Sequence, residues 1–239
     1  TLPTTVDGPG PTGVEVYLPD QPLGAQAVVL VHGGSWVAGT PGSTVSLARS
    51  LSDAGAIVFN ASYRTALTGG GYPATFDDIA CAVRYARSRL EELGGSGELI
   101  LAGHSAGAHI AAVVALSENA FAPDCPWTGS STPDRLVGLA GLYQIDAVAP
   151  VMEVFLGGDR SEAPEAWEAA DPFAHLEAAA GMAITLVHGT EDEVVPPAAS
   201  EQFAAALEDA GANVDLELVD GAGHMDMVSG AVTTRLILP

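Results

Sequence analysis

The chain contains no lysine. Its 8 cationic side chains are all arginine and face 30 acidic ones among 239 residues, leaving a formal net charge of −22. So acidic a surface repels nucleic acid and anionic membranes, offers no basic groove for a phosphate backbone, and disfavours polyanionic substrates. Long apolar runs are also missing: nothing approaches the roughly 18 consecutive residues that a membrane span requires. Thr1-Leu2-Pro3 shows neither the charged nor the apolar region of a signal peptide, so no leader is expected. Cysteine is scarce. Cys81 and Cys125 make no CxxC, and no His, Asp or Glu cluster has metal-ligand spacing, so neither a metal nor another cofactor is expected. Spacing alone leaves open whether the two cysteines pair. Pairing would point to secretion, and free thiols to the cytoplasm.

What is present reads as alternation. Val14–Leu18 suggests an edge strand, and Ala27–Val31 is a continuous apolar run of the kind found in strands buried on both faces of a parallel sheet. Similar runs recur at Ala56–Ala61, Leu99–Ala102, Leu136–Tyr143 and Ile184–Val187, followed by the more alternating Val214–Val219. Between them lie helical patterns at Thr44–Ala54, Phe76–Leu93, Ala106–Ser117 and Ala198–Ala210, several closed by glycine. Strands alternating with helices imply right-handed crossovers and a mostly parallel sheet flanked by helices, here as one α/β domain over residues 1–239. Residues 144–182 break the rhythm with short helical pieces and read as a small cap-like insertion.

The chemistry gathers at three strand ends, where open α/β sheets place their sites. Gly103-His104-Ser105-Ala106-Gly107 stands between a strand and a helix, the context of a G-x-S-x-G turn that exposes a serine Oγ at a helix N-terminus. Asp192 follows the Ile184–Val187 run and His224 follows Val214–Val219, supplying an orienting acid and a general base for Ser105. Glu191 and Glu193 flank Asp192 and are its rivals, though both are expected to point outward. Among the other histidines, His104 and His109 suit core or hydrogen-bonding roles. His175 suits the surface, and His188 suits a brace for the Asp192 loop. His32-Gly33-Gly34-Ser35-Trp36 follows the Ala27–Val31 strand. Its glycines let backbone N–H groups turn inward, so the expected oxyanion donors are the amides of Gly34, Ser35 and Ala106, with Gly33 as the substitute for Ser35.

With these residues assembled, the chain resembles the α/β-hydrolase superfamily, more narrowly the esterases related to hormone-sensitive lipase and the HGGxW branch with its kynurenine formamidase-like enzymes. The likeness rests on His32–Trp36, Ser62-Tyr63-Arg64 with Tyr72-Pro73-Ala74 and Asp77-Asp78, the turn at Ser105, and Gly189-Thr190-Glu191-Asp192. It implies an α/β-hydrolase fold with a minimal cap. The implied activity is a serine carboxylic ester hydrolase for small or short-acyl esters, with Ser105, Asp192 and His224 catalytic and Trp36 covering the substrate. The alternatives are an aryl formamidase acting on N-formylkynurenine and a non-catalytic binding module on the same fold.

Overall fold

The computed structural model describes residues 4–6, 13–95 and 97–238. Among these residues eight strands form one sheet: β1 (Thr4–Val6), β2 (Val14–Tyr17), β3 (Ala27–Val31), β4 (Ile57–Ala61), β5 (Leu99–His104), β6 (Arg135–Leu139), β7 (Ala183–Gly189) and β8 (Asn213–Val219). They lie in the order β1-β2-β4-β3-β5-β6-β7-β8. β1 and β2 pair antiparallel, as do β2 and β4; every other neighbouring pair is parallel. This is the α/β-hydrolase fold. β2 is not the edge expected of it, because the short β1 pairs along its outer side. β6 also stops earlier than its apolar run suggests. Ala140 turns to φ 47°, and the buried Tyr143 packs outside the sheet against Phe203.

The helices α1 (Val45–Asp53), α2 (Ala74–Glu92), α3 (Ala106–Leu116), α4 (Ala149–Leu156), α5 (Pro164–Ala169), α6 (Ala198–Asp209) and α7 (Gly230–Ile237) complete the fold. Two cores follow from the pleat. Val28, Leu30, Ile100 and Ala102 face α1 and α7. Val29, Val31, Leu99 and Leu101 face the other way, into the core that holds α2, α3 and α6. That alternation explains why β3 and β5 read as unbroken apolar runs: both faces are covered. α3 is buried at every position, which its alanine-rich sequence permits by allowing close approach to the sheet.

Residues 144–182 hold α4, α5 and 3₁₀ turns at Ile145–Val148 and Pro172–Ala179. They pack on α3 rather than standing away from it, with Met152, Phe155 and Trp167 buried. Cys81 of α2 and Cys125 form a disulfide across 44 residues, with their Cα atoms 5.5 Å apart. Closing a loop of that length limits the unfolded chain by about 4 kcal/mol.

Candidate active site

The parallel strands β3, β5, β7 and β8 end on one side of the sheet, and the residues singled out above follow those ends. Ser105 caps α3 with φ 56° and ψ −124°, outside the regions a side chain ordinarily allows. Two close approaches explain the flanking glycines. A Cβ on Gly103 would lie 2.2 Å from the Gly107 carbonyl oxygen, and one on Gly107 would lie 2.3 Å from that of His32. The turn can close only without those side chains, and closure presses α3 against the end of β3.

Asp192 and His224 meet. His224 Nδ1–H donates to Asp192 Oδ2 at 2.7 Å, which leaves Nε2 as the ring's basic nitrogen. The other carboxylate oxygen accepts the N–H groups of Val194 at 2.9 Å and Val195 at 2.8 Å. Burial alone would raise the Asp192 pKa; these backbone donors and His224 outweigh it and hold the carboxyl below its ordinary value. Glu191 and Glu193 are exposed and point away, as expected of them. Ser105, His224, Gly33, Gly34 and Ser35 line one cavity of about 320 Å³. No hydrogen bond joins Ser105 to His224 among the described residues; in an unliganded site such a contact is often long and tightens when substrate arrives.

The backbone across the cavity is strained in the way the glycines suggested. Gly34 has φ 134°, where a Cβ would sit 1.9 Å from the Ala38 carbonyl oxygen; Ser35 and Trp36 follow at φ 53° and 62°. None of the backbone hydrogen bonds in these turns uses the N–H of Gly34, Ser35 or Ala106. Tyr63 supports the loop from below. Its hydroxyl donates to the His32 carbonyl at 2.9 Å, and its ring stacks on His32 at 4.2 Å. Arg64 grips both oxygens of Asp78, with Nε on Oδ2 and Nη2 on Oδ1, fixing the start of α2 beside it. The Ser-Tyr-Arg motif is thus scaffolding for the loop.

Trp36 departs from expectation. It is 3% exposed and absent from the cavity lining, because its indole N–H is drawn inward to His109 Nδ1 at 3.0 Å. His109 Nε2–H in turn donates to the Ala170 carbonyl at 2.8 Å. One buried imidazole on α3 therefore ties the strained loop to the segment over it. Burial lowers the pKa of His109 to about 4, so the ring stays neutral and keeps one donor and one acceptor. Two adjacent left-handed residues cost on the order of 1–3 kcal/mol each, so the loop needs such an anchor. Trp36→Phe should lower kcat about 10- to 100-fold with little change in KM, by letting the Ser35 amide drift from its aim. Steady-state kinetics beside thermal melting checks this; a lower Tm with unchanged kcat would make the anchor merely structural.

The remaining histidines settle as braces. His104 Nε2–H donates to the His224 carbonyl at 3.1 Å, and the two rings pack 4.7 Å apart. Burial, aided by the nearby His224, lowers the pKa of His104 to about 4. His188 Nε2–H faces the Val195 carbonyl at 2.9 Å and Asp192 Oδ2 at 3.2 Å, while its Nδ1 accepts from Ser200 at 2.7 Å. Sequence suggested the brace but not Ser200. His175 lies at the surface, partly exposed, with its Nε2 3.2 Å from the Glu168 carbonyl.

The BD-FAE family model matches residues 14–207. The chain is similar to the esterase LipQ of Mycobacterium tuberculosis, with 31% identity over 95% of this chain and 58% of that protein. It is also similar to a probable isoprenylcysteine alpha-carbonyl methylesterase of Oryza sativa subsp. japonica, at 30% identity over 90% of this chain and 54% of that one. The chain thus spans somewhat more than half the length of these curated relatives. Among solved structures, a thermophilic esterase from Thermogutta terrifontis superposes with a TM-score of 0.77 at 23% identity, covering 94% of this chain and 84% of that one. At that identity the likeness concerns the fold.

Proposed function

The chain belongs to the BD-FAE family of α/β-hydrolases, and from that premise we propose that it is a serine carboxylesterase acting on small, short-acyl esters. The observation that carries the reading is the Asp192–His224 hydrogen bond, which ends beside Ser105 in the cavity bordered by the Gly34–Ser35 loop. Ser105 Oγ attacks the acyl carbonyl as His224 Nε2 takes its proton. Asp192 holds the imidazole in the required tautomer and balances the imidazolium that forms. The amides of Gly34, Ser35 and Ala106 receive the oxyanion. His224 returns the proton to the departing alcohol, and water, activated by the same base, hydrolyses the acyl-enzyme to release the acid and restore Ser105.

The short-acyl preference rests on space. The cavity of about 320 Å³ is at the small end for ligand sites, and none of residues 144–182, which pack on α3, lines it. On p-nitrophenyl esters, kcat/KM should be highest between about C2 and C6. A maximum at C12 or beyond would overturn the short-chain reading. Covalent labelling by a fluorophosphonate, lost in Ser105→Ala, tests the serine mechanism and separates an enzyme from a binding module.

The formamidase alternative draws on the His32–Trp36 pattern. N-formylkynurenine carries a carboxylate, however, and no arginine lines the cavity to receive it. Faster hydrolysis of N-formylkynurenine than of p-nitrophenyl acetate would reverse this preference. The Cys81–Cys125 disulfide supports an oxidising compartment as the place of action.

A further inference from the structure

Among the described residues six large apolar side chains are conspicuously exposed, and two of them, Val194 at 67% and Met225 at 59%, border the cavity beside Ser105. They are also the only cavity-lining residues with an apolar side chain; all the others are glycine, serine or histidine. Both sit on the same side. Val194 follows Asp192 and donates its N–H to that carboxylate, and Met225 follows His224 directly. The rest of the lining, the Gly33–Ser35 loop included, presents no apolar side chain.

This asymmetry has a chemical meaning if the serine-esterase reading holds, and the inference rests on that reading. The imidazole that takes the Ser105 proton must hand it to the departing alkoxide, so the alcohol oxygen has to lie within hydrogen-bond reach of His224 Nε2. The carbonyl oxygen points the other way, to the amides of the glycine loop. Whatever the alcohol carries therefore leaves the reaction centre on the His224 side, across Val194 and Met225. We propose that Val194 and Met225 form the alcohol-binding surface and select esters of apolar, uncharged alcohols. Exposed methyl and thioether groups would be covered by such an alcohol, and Met225 is flexible enough to follow alkyl and aryl shapes alike. The acyl group leaves the attacked carbon in a third direction, away from both the alcohol and the oxyanion, so these two side chains bear less on acyl selectivity.

The test is a change in selectivity, so the intrinsic reactivity of each ester cancels. Wild type and the Val194→Ser/Met225→Gln double variant are compared on methyl acetate and hexyl acetate, and on methyl butyrate to vary the acyl side. Both side chains are exposed, so the variant should keep its fold, which melting verifies. In wild type, kcat/KM should favour hexyl over methyl acetate. In the variant that ratio should collapse about tenfold or more, while the ratio of methyl butyrate to methyl acetate changes less than about twofold. An unchanged hexyl-to-methyl ratio overturns the assignment, and so does an equal shift in the butyrate ratio. If those ratios fail while fluorophosphonate still labels Ser105, the esterase reading survives and only the alcohol surface falls. A wild type that hydrolyses none of the esters removes both.

Discussion

Ser105→Ala should lower kcat on p-nitrophenyl acetate by about 10⁶-fold and leave a chain that melts within about 2 °C of wild type. The serine hydroxyl makes no hydrogen bond within the described protein, and the strained φ of 56° is imposed by the Gly103 and Gly107 packing rather than by the side chain. Only the chemistry is lost. Asp192→Asn should cost about 10⁴-fold, for a reason visible in the hydrogen bonds. Val194 and Val195 both donate to Oδ1, so an asparagine must place its carbonyl there. Its NH₂ then lands at Oδ2, facing the N–H groups of His224 and His188. Relief requires His224 to move its proton to Nε2, the nitrogen that has to accept from Ser105. Glu191→Gln and Glu193→Gln, at exposed positions, should stay within about twofold of wild type. Greater harm from either than from Asp192→Asn would move the orienting acid.

The same contrast between local and distant determinants explains what could be read from the sequence. β3 and β5 were legible because a strand covered on both faces is written as uninterrupted apolar residues. Ser105, Asp192 and His224 were legible because each follows a strand end within a few residues and two lie among glycines with a conformational reason to be there. Long-range partners were not. The Trp36–His109 hydrogen bond joins positions 73 apart in the chain, and nothing local distinguishes an indole aimed at substrate from one aimed into the core. β1 has only three residues and no core-facing pattern long enough to detect, so β2 passed for the edge. The cysteine pairing depends on a Cα separation that only the packed fold defines.

Stability should fall steeply as pH drops from about 6.5 toward 5, even though the acidic residues are still ionised there. His104 and His109 are neutral in the folded protein, each with its pKa lowered by burial from 6.5 to about 4. The unfolded chain takes up protons on both near pH 6.5, so it binds more protons than the native state between the two values. A depressed native pKa gives stability that is complete above 6.5 and is lost as pH falls toward 4. At pH 5 the pair should have forfeited about 4 kcal/mol, or roughly 10 °C in Tm for a chain of this size. Burial also lowers His32 and His188, with the same sign. Two effects act lower on the scale. Protonation eases the mutual repulsion of the 30 carboxylates, but mainly near pH 4, below this window. Asp192, held below its ordinary value by its backbone donors and His224, stays ionised through this window. The histidines therefore dominate between pH 5 and 6.5, and calorimetric melting at intervals from pH 8 to 5 reads them directly. A Tm that stays level across that range would mean that the buried rings accept protons without cost, contradicting the Trp36 and Ala170 contacts that require His109 to be neutral.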